Sequence, residues 1–248
     1  RIGHDIIGAD LGPSSTALVP REGDVSLAVF CEKLVSDHKA LRHLQRTMDC
    51  QRRAANPQNS GEKGCIRTQG KHPLHWNTSK SYQRTRNRKA RIERTLAAHR
   101  NSLHGRKVHE IVAIGQTVIL EKLSDRAWQK QYGKSVGLRA PGIFVGQLRR
   151  TVASTGGPLL EVPTCTSKLS QFCHGCGQYV KKPLSQRMHH CPCGVGPVQR
   201  DLYSAFLAST LDHDHLTPSC AQAVVPWESA EARLQAAHAR VIQRANEG

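Results

Sequence analysis

The sequence predicts an α/β protein, a mixed sheet flanked by helices with a small cysteine-rich module inserted towards its C-terminal end. Three observations carry this expectation: short apolar runs punctuated by turn residues open the chain, two long arginine-rich helical patterns follow, and four cysteines pair into two close-set knuckles beyond a further strand pattern. At 248 residues the chain is long enough for one substantial core and a small appended module.

Ile6 to Leu11, Thr16 to Val19 and Val25 to Phe30 are separated by Gly12-Pro13 and by Pro20-Arg21-Glu22-Gly23. That spacing is the pattern of a three-strand antiparallel meander. Leu34, Leu41, Leu44 and Met48 then recur at helical spacing with Arg42, Arg46, Arg52 and Arg53 between them, predicting a basic amphipathic helix over about 33–56 that stops at Asn56-Pro57. Residues 57–79 lack periodicity and read as a mobile basic loop. A second long helix is expected over about 81–109, with Ile92, Leu96 and Leu103 on one face. Thr117-Val118-Ile119-Leu120-Glu121 is a buried-strand pattern ending in a carboxylate. A polar loop, a helix from about Ala140 to Ser154 closed by Gly156-Gly157, and a short strand Leu159 to Val162 should follow. The expected organisation is a core over 1–164, the cysteine module over 165–199, a helix over 200–212 that completes the core, and a helical tail over 213–248.

Lys and Arg total 36 against 19 Asp and Glu, a formal charge of +17 with His neutral. Such an excess repels itself in a compact fold unless a polyanion is near, and nucleic acid is the commonest polyanionic partner. No apolar run approaches the roughly 18 residues needed to span a bilayer, and RIGHDIIGAD is no signal peptide, so a membrane partner is not expected. In the second helix Arg84, Arg86, Arg88, Lys89, Arg91 and Arg94 form a field of nearly one sign, broken by Glu93, and are read as phosphate contacts. With 4 Phe, 3 Trp and 4 Tyr a base-stacking platform is not expected, although His72, His75 and Trp76 are candidate contacts. Asp212-His213-Asp214-His215 reads as a polar helix end, since four consecutive residues point in different directions.

The nine cysteines are odd in number and the chain exceeds the small secreted scaffolds that depend on bridges, so reduced thiols are expected. Cys31, Cys50, Cys65, Cys165 and Cys220 are scattered and read mostly as packing residues. Cys173-His174-Gly175-Cys176 and Cys191-Pro192-Cys193-Gly194 form two knuckles 14 residues apart. Four thiolates so placed suit a tetrahedral, structural Zn²⁺, and a segment with few large apolar side chains needs such a staple. The second knuckle is C-x-C, which leaves His174, His189 and His190 near enough to substitute as ligands.

Three carboxylates stand out. Asp10 lies inside the apolar first strand, where burial without a partner is costly. Glu121 ends a second apolar strand, and Asp201 opens a helix directly after the cysteine module. A bland reading exists for each of the last two: Asp201 as an N-cap, Glu121 as half of an ion pair. Brought to one end of a sheet, the three would repel and raise one another's pKa until a divalent cation removed the repulsion. Hard oxygen ligands select Mg²⁺ or Mn²⁺, the ions of two-metal phosphodiester hydrolysis.

Gly8-Ala9-Asp10-Leu11-Gly12-Pro13-Ser14-Ser15-Thr16, Val118-Ile119-Leu120-Glu121-Lys122-Leu123 and Arg200-Asp201-Leu202-Tyr203-Ser204-Ala205 resemble the three RuvC-type nuclease motifs of the TnpB (OrfB) proteins encoded by bacterial insertion sequences. Thr166-Ser167-Lys168-Leu169-Ser170-Gln171-Phe172-Cys173 and its knuckles sit between the second and third motifs, as in that family, and the basic helix leading into Ser102-Leu103-His104 also matches. The resemblance runs to about residue 210. It implies an RNase H-like, RuvC-type fold with an inserted zinc ribbon, and a transposon-encoded, RNA-guided DNA endonuclease related to type V CRISPR effectors. DNA and a guide RNA would be the partners, in the bacterial cytoplasm at the nucleoid. Carried over, Asp10, Glu121 and Asp201 would be catalytic acids holding Mg²⁺ or Mn²⁺, and Cys173, Cys176, Cys191 and Cys193 would hold the structural zinc. Tyr203 departs from the Asn common in the family at that position. The family's recognition region precedes its first motif, and this chain begins with Arg1 almost at that motif, so a fragment is expected. The competing readings are a catalytically silent or truncated DNA/RNA-binding protein, and a stand-alone junction resolvase or transposase.

Overall fold

The computed structural model describes residues 2–61, 65–66, 74–122, 124–183, 185–211, 214 and 216–247. His72, Leu123, Asp212, His213 and His215 lie outside the described residues. The chain divides into two compact units, one made of Arg1–Glu32 and Ser102–Gly248, the other of Lys33–Asn101.

The first unit is a mixed α/β structure. Strands β1 (Ile6–Leu11), β2 (Ser15–Pro20) and β3 (Ser26–Val29) form the antiparallel meander that the turn spacing predicts. The second unit contains α1 (His38–Ala54), and α2 (Lys80–Ile114) starts in that unit and ends in the first. Strands β4 (Thr117–Glu121) and β5 (Leu159–Val162) add in parallel beside β1, giving a five-stranded sheet of order β3-β2-β1-β4-β5. Between β4 and β5 come α3 (Asp125–Arg139) and α4 (Pro141–Ser154). A short α5 (Thr164–Ser167) leads to the knuckles, which are closed by the small ribbon β6 (Met188–His189) and β7 (Val198–Gln199). Helices α6 (Arg200–Thr210) and α7 (Cys220–Glu247) complete the chain.

Alternation along the strands sorts their side chains onto two buried faces. Ile7, Ala9, Leu11, Leu18, Val118 and Leu120 pack with Val108, Ile111 and Val112 of α2 and with Phe144, Leu148 and Val152 of α4. Ala17, Val19, Ile119 and Val162 face the other way, against Leu202, Phe206 and Leu207 of α6 and Leu234 of α7. Covering both faces explains why β4 is a continuous apolar run instead of an alternating one. Helix α6 approaches unusually closely: a Cβ on Gly8 would stand 1.9 Å from the Ala205 carbonyl oxygen and 2.4 Å from the Ser209 nitrogen. Backbone therefore lies on backbone where α6 crosses the central strand.

Guanidinium groups hold the end of that packing. Arg21 donates from Nε to the Ser209 carbonyl (2.8 Å) and from Nη2 to the Leu211 carbonyl (3.1 Å), occupying acceptors that the end of α6 leaves open. From α7, Arg233 donates to the Gly23 and Arg21 carbonyls and Arg240 to that of Val25, so the β2–β3 connection is tied to the last helix.

The structure departs from the sequence expectation at several places. The segment after Glu121 read as a polar loop contains α3, which has no buried side chain among its described residues and breaks helical geometry at Tyr132. Gly133 and Gly137 and the missing apolar period hid it; its tertiary anchors are Ser135 Oγ donating to the Pro13 carbonyl (2.6 Å) and Arg139 Nε donating to that of Phe30 (2.7 Å). In α2 the buried face is His104, Val108, Ile111 and Val112, whereas Ile92 and Leu96 stay partly exposed. In the second unit α1 is capped by the Asp37 carboxylate on the Ala40 amide and buries Leu44 and Met48. The described ends of the 57–79 segment are held in place: Asn56 exchanges hydrogen bonds with the Asn77 backbone, Asn59 donates to the His75 carbonyl, and the Arg52 guanidinium lies 3.7 Å from the Trp76 ring centroid. Cys50, Cys65 and Cys165 are exposed and do not serve as packing residues; Cys31 and Cys220 are half-buried. Among the described residues no helix is long and apolar enough to cross a membrane.

Gly8→Ala should therefore displace α6 and destabilise the protein by about 1–3 kcal/mol. Gly105→Ala, in α2 where an added Cβ meets open space, should instead stabilise it by up to about 1 kcal/mol. Urea-unfolding midpoints of the two variants against the parent measure both effects; equal midpoints for Gly8→Ala and the parent would refute the close approach.

Candidate functional site

The parallel register of β1 and β4 pairs Ala9 with Leu120, so the next residue on each strand is an acid, Asp10 and Glu121. Strand parity turns both towards the face covered by α6, because Gly8 and Asp10 alternate with Ala9, and Glu121 with Leu120. Asp201 lies in the first turn of α6. It is not the helix cap: Gln199 takes that role, its side-chain oxygen accepting from the Leu202 amide at 2.7 Å. The Asp201 carboxylate, 14% exposed, instead accepts a hydrogen bond from Ser15 Oγ at 3.2 Å and has Arg200 Nε 3.7 Å away. Glu121 forms no ion pair among the described residues; one of its oxygens accepts from Ser167 Oγ and from the Leu169 amide, each at 3.0 Å. Both bland readings are thus replaced by contacts that hold the carboxylates in place.

The electrostatics tie the three together. Asp10 retains some access to solvent, yet burial raises its pKa well above the ordinary value, and the charges of Asp201 and then Glu121 raise it further. Arg200 and the Ser204 hydroxyl oppose the shift. That hydroxyl is itself buried and makes no hydrogen bond of ordinary geometry among the described residues. Burial also raises Glu121, against the Leu169 amide and the Ser167 hydroxyl, which favour its charged form. A carboxyl pushed up by burial and by two like charges is the electrostatic condition that a bound divalent cation relieves. With oxygen donors only, such a centre suits a hard cation.

The second cluster is built from thiols. Cys173, Cys176, Cys191 and Cys193 bring their sulfurs within 4.8 Å of one another, an arrangement that could hold a metal ion. Cys173 and Cys193 are 3.5 Å apart at sulfur, and Cys176 and Cys191 3.6 Å. Tetrahedral coordination with metal–sulfur bonds of about 2.3 Å requires sulfurs about 3.8 Å apart, whereas a disulfide would need about 2 Å. Gly177 and Gly194 follow the second cysteine of each knuckle with φ of +71° and +99°, which lets the chain fold back there. Burial pushes the Cys173 thiol up to about 12, while the Val195 amide and the Cys191 thiol lower Cys193 to about 7. A buried thiol held so high ionises at neutral pH only if a cation compensates it.

The histidines near the knuckles do not join this ligand group. His174 donates its backbone N–H to the Tyr203 hydroxyl oxygen (3.0 Å), and its Nδ1 lies 2.8 Å from that oxygen. Burial lowers the His174 pKa and raises that of Tyr203, which favours the neutral form of both groups where they share this hydrogen bond. His189 stacks on Tyr203 at 4.1 Å between centroids, and its Nδ1 accepts from Lys182 Nζ at 2.7 Å. His190 is exposed.

No protein-family model matches the chain, and no curated protein matches it either. The charges of Asp201 and Glu121 act on Asp10, whereas among the described residues only the four knuckle cysteines stand close enough together, as the side chains lie, to hold a metal ion. Arg84, Arg86, Arg88, Arg91 and Arg94 are exposed on α2, and Lys89 is engaged with Glu93 at 2.7 Å. Ser15, Ser167 and Ser204 were legible only as members of the motifs, because a hydroxyl carries no pattern until its partner is known.

Two outcomes test this site. The folded-state pKa of Asp10 is raised, so its contribution to stability is present below the unfolded value near 4 and lost as pH rises through the folded value. Asp10→Asn should accordingly raise the melting temperature at pH 8 without divalent cation by at least about 3 °C, the shift of about 1 kcal/mol in a chain of this size; adding Mg²⁺ should stabilise the parent and not the variant. Cys176→Ser should abolish stoichiometric metal in elemental analysis and lower the melting temperature, whereas full metal content in the variant would overturn the ligand set.

Proposed function

We propose that the chain is the nuclease core of a metal-dependent DNA endonuclease with an RNase H-like, RuvC-type fold, of the transposon-encoded, RNA-guided kind that the TnpB-like motifs suggest. The observation that carries the reading is Asp10 on the central strand, under the combined influence of Asp201 and Glu121 on the face crossed by α6. Sheet order, the carboxylates on β1, β4 and α6, and the cysteine module immediately before α6 all agree with it.

In this reading Asp10, Glu121 and Asp201 hold Mg²⁺ or Mn²⁺. When bound, the cation supplies an activated water and charge stabilisation for the scissile phosphodiester and its leaving oxygen. The chain's own groups set the acids for that task. Ser167 Oγ and the Leu169 amide orient Glu121, Ser15 Oγ orients Asp201, and Arg200 favours ionised Asp10. Arg200 is fixed in turn by donating to the Pro183 and Gln186 carbonyls, so its charge is directed and not free to swing. The four cysteines hold a structural Zn²⁺ with no open coordination position.

The net charge of +17 and the exposed Arg84, Arg86, Arg88, Arg91 and Arg94 favour a nucleic-acid backbone as partner, DNA with a guide RNA. Cleavage assays on single- and double-stranded DNA, with and without co-purified RNA, test the proposal. Cleavage should require Mg²⁺ or Mn²⁺ and fall by at least about a thousandfold in Asp10→Ala, as expected when a ligand of the catalytic cation is lost. Guide-independent cutting of branched junctions would favour a resolvase instead, and absence of any cation-dependent cleavage would refute the nuclease reading.

A further inference from the structure

One short stretch of chain, 167–174, which runs into the first knuckle, touches Glu121 directly and also reaches α6, the helix that carries Asp201. At its start, Ser167 Oγ and the Leu169 amide converge on one oxygen of Glu121. At its end, His174, the residue after Cys173, meets Tyr203 through both its backbone N–H and its ring. The second knuckle reaches the same side chain, since His189, two residues before Cys191, stacks on the Tyr203 ring. Trp227 of α7 closes the remaining side edge-on at 5.6 Å, and Tyr203 is fully buried.

Tyr203 and Asp201 are two positions apart on α6, about 200° around a helix, and so project to opposite sides. One side chain is gripped by the knuckles while the other is presented to Asp10. Asp201 lies in the first turn of α6, ahead of the Gly8 contact at Ala205 and Ser209 and far from the Arg21 clamp, so a hydrogen-bonded side chain at Tyr203 helps to fix the aim of that first turn. The phenol oxygen is well suited to this: it accepts the His174 backbone N–H and shares a second hydrogen bond with the His174 ring, so its position is defined by two bonds to a residue adjoining a metal-ligand candidate.

We infer that Tyr203 is a positioning residue which, with the 167–174 segment, makes the cation affinity of the carboxylate centre depend on an ordered cysteine cluster. The inference rests on the carboxylate-centre reading above. Ordering the four sulfurs fixes Cys173 and hence His174; His174 fixes the first turn of α6 and with it Asp201, while the same segment fixes Glu121. The cysteine module then has a role beyond stapling itself, because it sets the geometry of a second metal centre with which it shares no ligand.

The test uses the full chain with zinc content verified by elemental analysis, and measures Mn²⁺ affinity by the electron paramagnetic resonance signal of free Mn²⁺. Tyr203→Phe keeps the buried ring and removes only the hydroxyl. It should retain zinc, weaken Mn²⁺ binding about tenfold or more, as loss of an outer partner of a metal site does, and speed amide exchange in the first turns of α6. Tyr179→Phe, a tyrosine 46% exposed on the same module, should leave Mn²⁺ affinity unchanged. If Tyr203→Phe loses zinc or unfolds, Ser167→Ala decides, with the same tenfold weakening expected at retained zinc. Parent-like Mn²⁺ affinity in the deciding variant overturns the inference and leaves the carboxylate centre standing; absence of Mn²⁺ binding by the parent itself refutes the centre.

Discussion

Helix α6 lies with its backbone against the central strand because Gly8 has no side chain to hold it off. Most of the arrangement around the acids depends on this contact. It seats Leu202, Phe206 and Leu207 in the core on one face of the sheet, and it brings Asp201 to the position where its charge acts on Asp10. A close backbone approach leaves little room for relaxation, since the fixed carbonyl and amide of the helix cannot move aside as a flexible side chain would. The clamps at the other end of α6, from Arg21 to the Ser209 and Leu211 carbonyls, hold the same helix against the same sheet.

Placing carboxylates there opposes folding. Burial and mutual repulsion push Asp10 up, and burial pushes Glu121 up. The protein answers with hydroxyls and one amide and not with full ion pairs: Ser15 on Asp201, Ser167 and Leu169 on Glu121, and Ser204 facing Asp10. Neutral donors orient a carboxylate without cancelling its charge, whereas a close guanidinium on each acid would satisfy the site and leave nothing for a cation to do. Arg200 is the cation whose charge acts on Asp10, and its bonds to the Pro183 and Gln186 carbonyls hold its guanidinium in place. Carboxyls whose pKa values are raised by burial and by like charge cluster at functional sites.

The cysteine module reaches this centre from two directions. It is linked to Glu121 through the segment entering the first knuckle and to α6 through Tyr203, so two clusters of different chemistry, soft thiols and hard carboxylates, are joined by a few neutral hydrogen bonds and a stacked aromatic group. Neutral links transmit geometry without transmitting charge. The pairing of Tyr203 with His174 also accounts for a large aromatic residue directly beside a helix start that carries an acid: its hydroxyl satisfies a buried amide that would otherwise be left without a partner.

Much of this was legible in the sequence where the signal is local. The meander, β4, β5 and the four knuckle cysteines follow from apolar runs, turn residues and ligand spacing, each of which reflects forces acting within a few residues. Helix α3 was not legible, because Gly133 and Gly137 erase its pattern and its tertiary anchors come from side chains bonding to distant carbonyls. The buried face of α2 was also misplaced, since the sheet and not the helix selects which residues are covered. For the site, sequence alone determined which residues carry charge and which carry sulfur. Only the tertiary structure decided that Asp201 is no helix cap, that Glu121 is held by the segment entering the knuckles, and that Tyr203 joins the two clusters, because each of these turns on contacts between residues far apart along the chain.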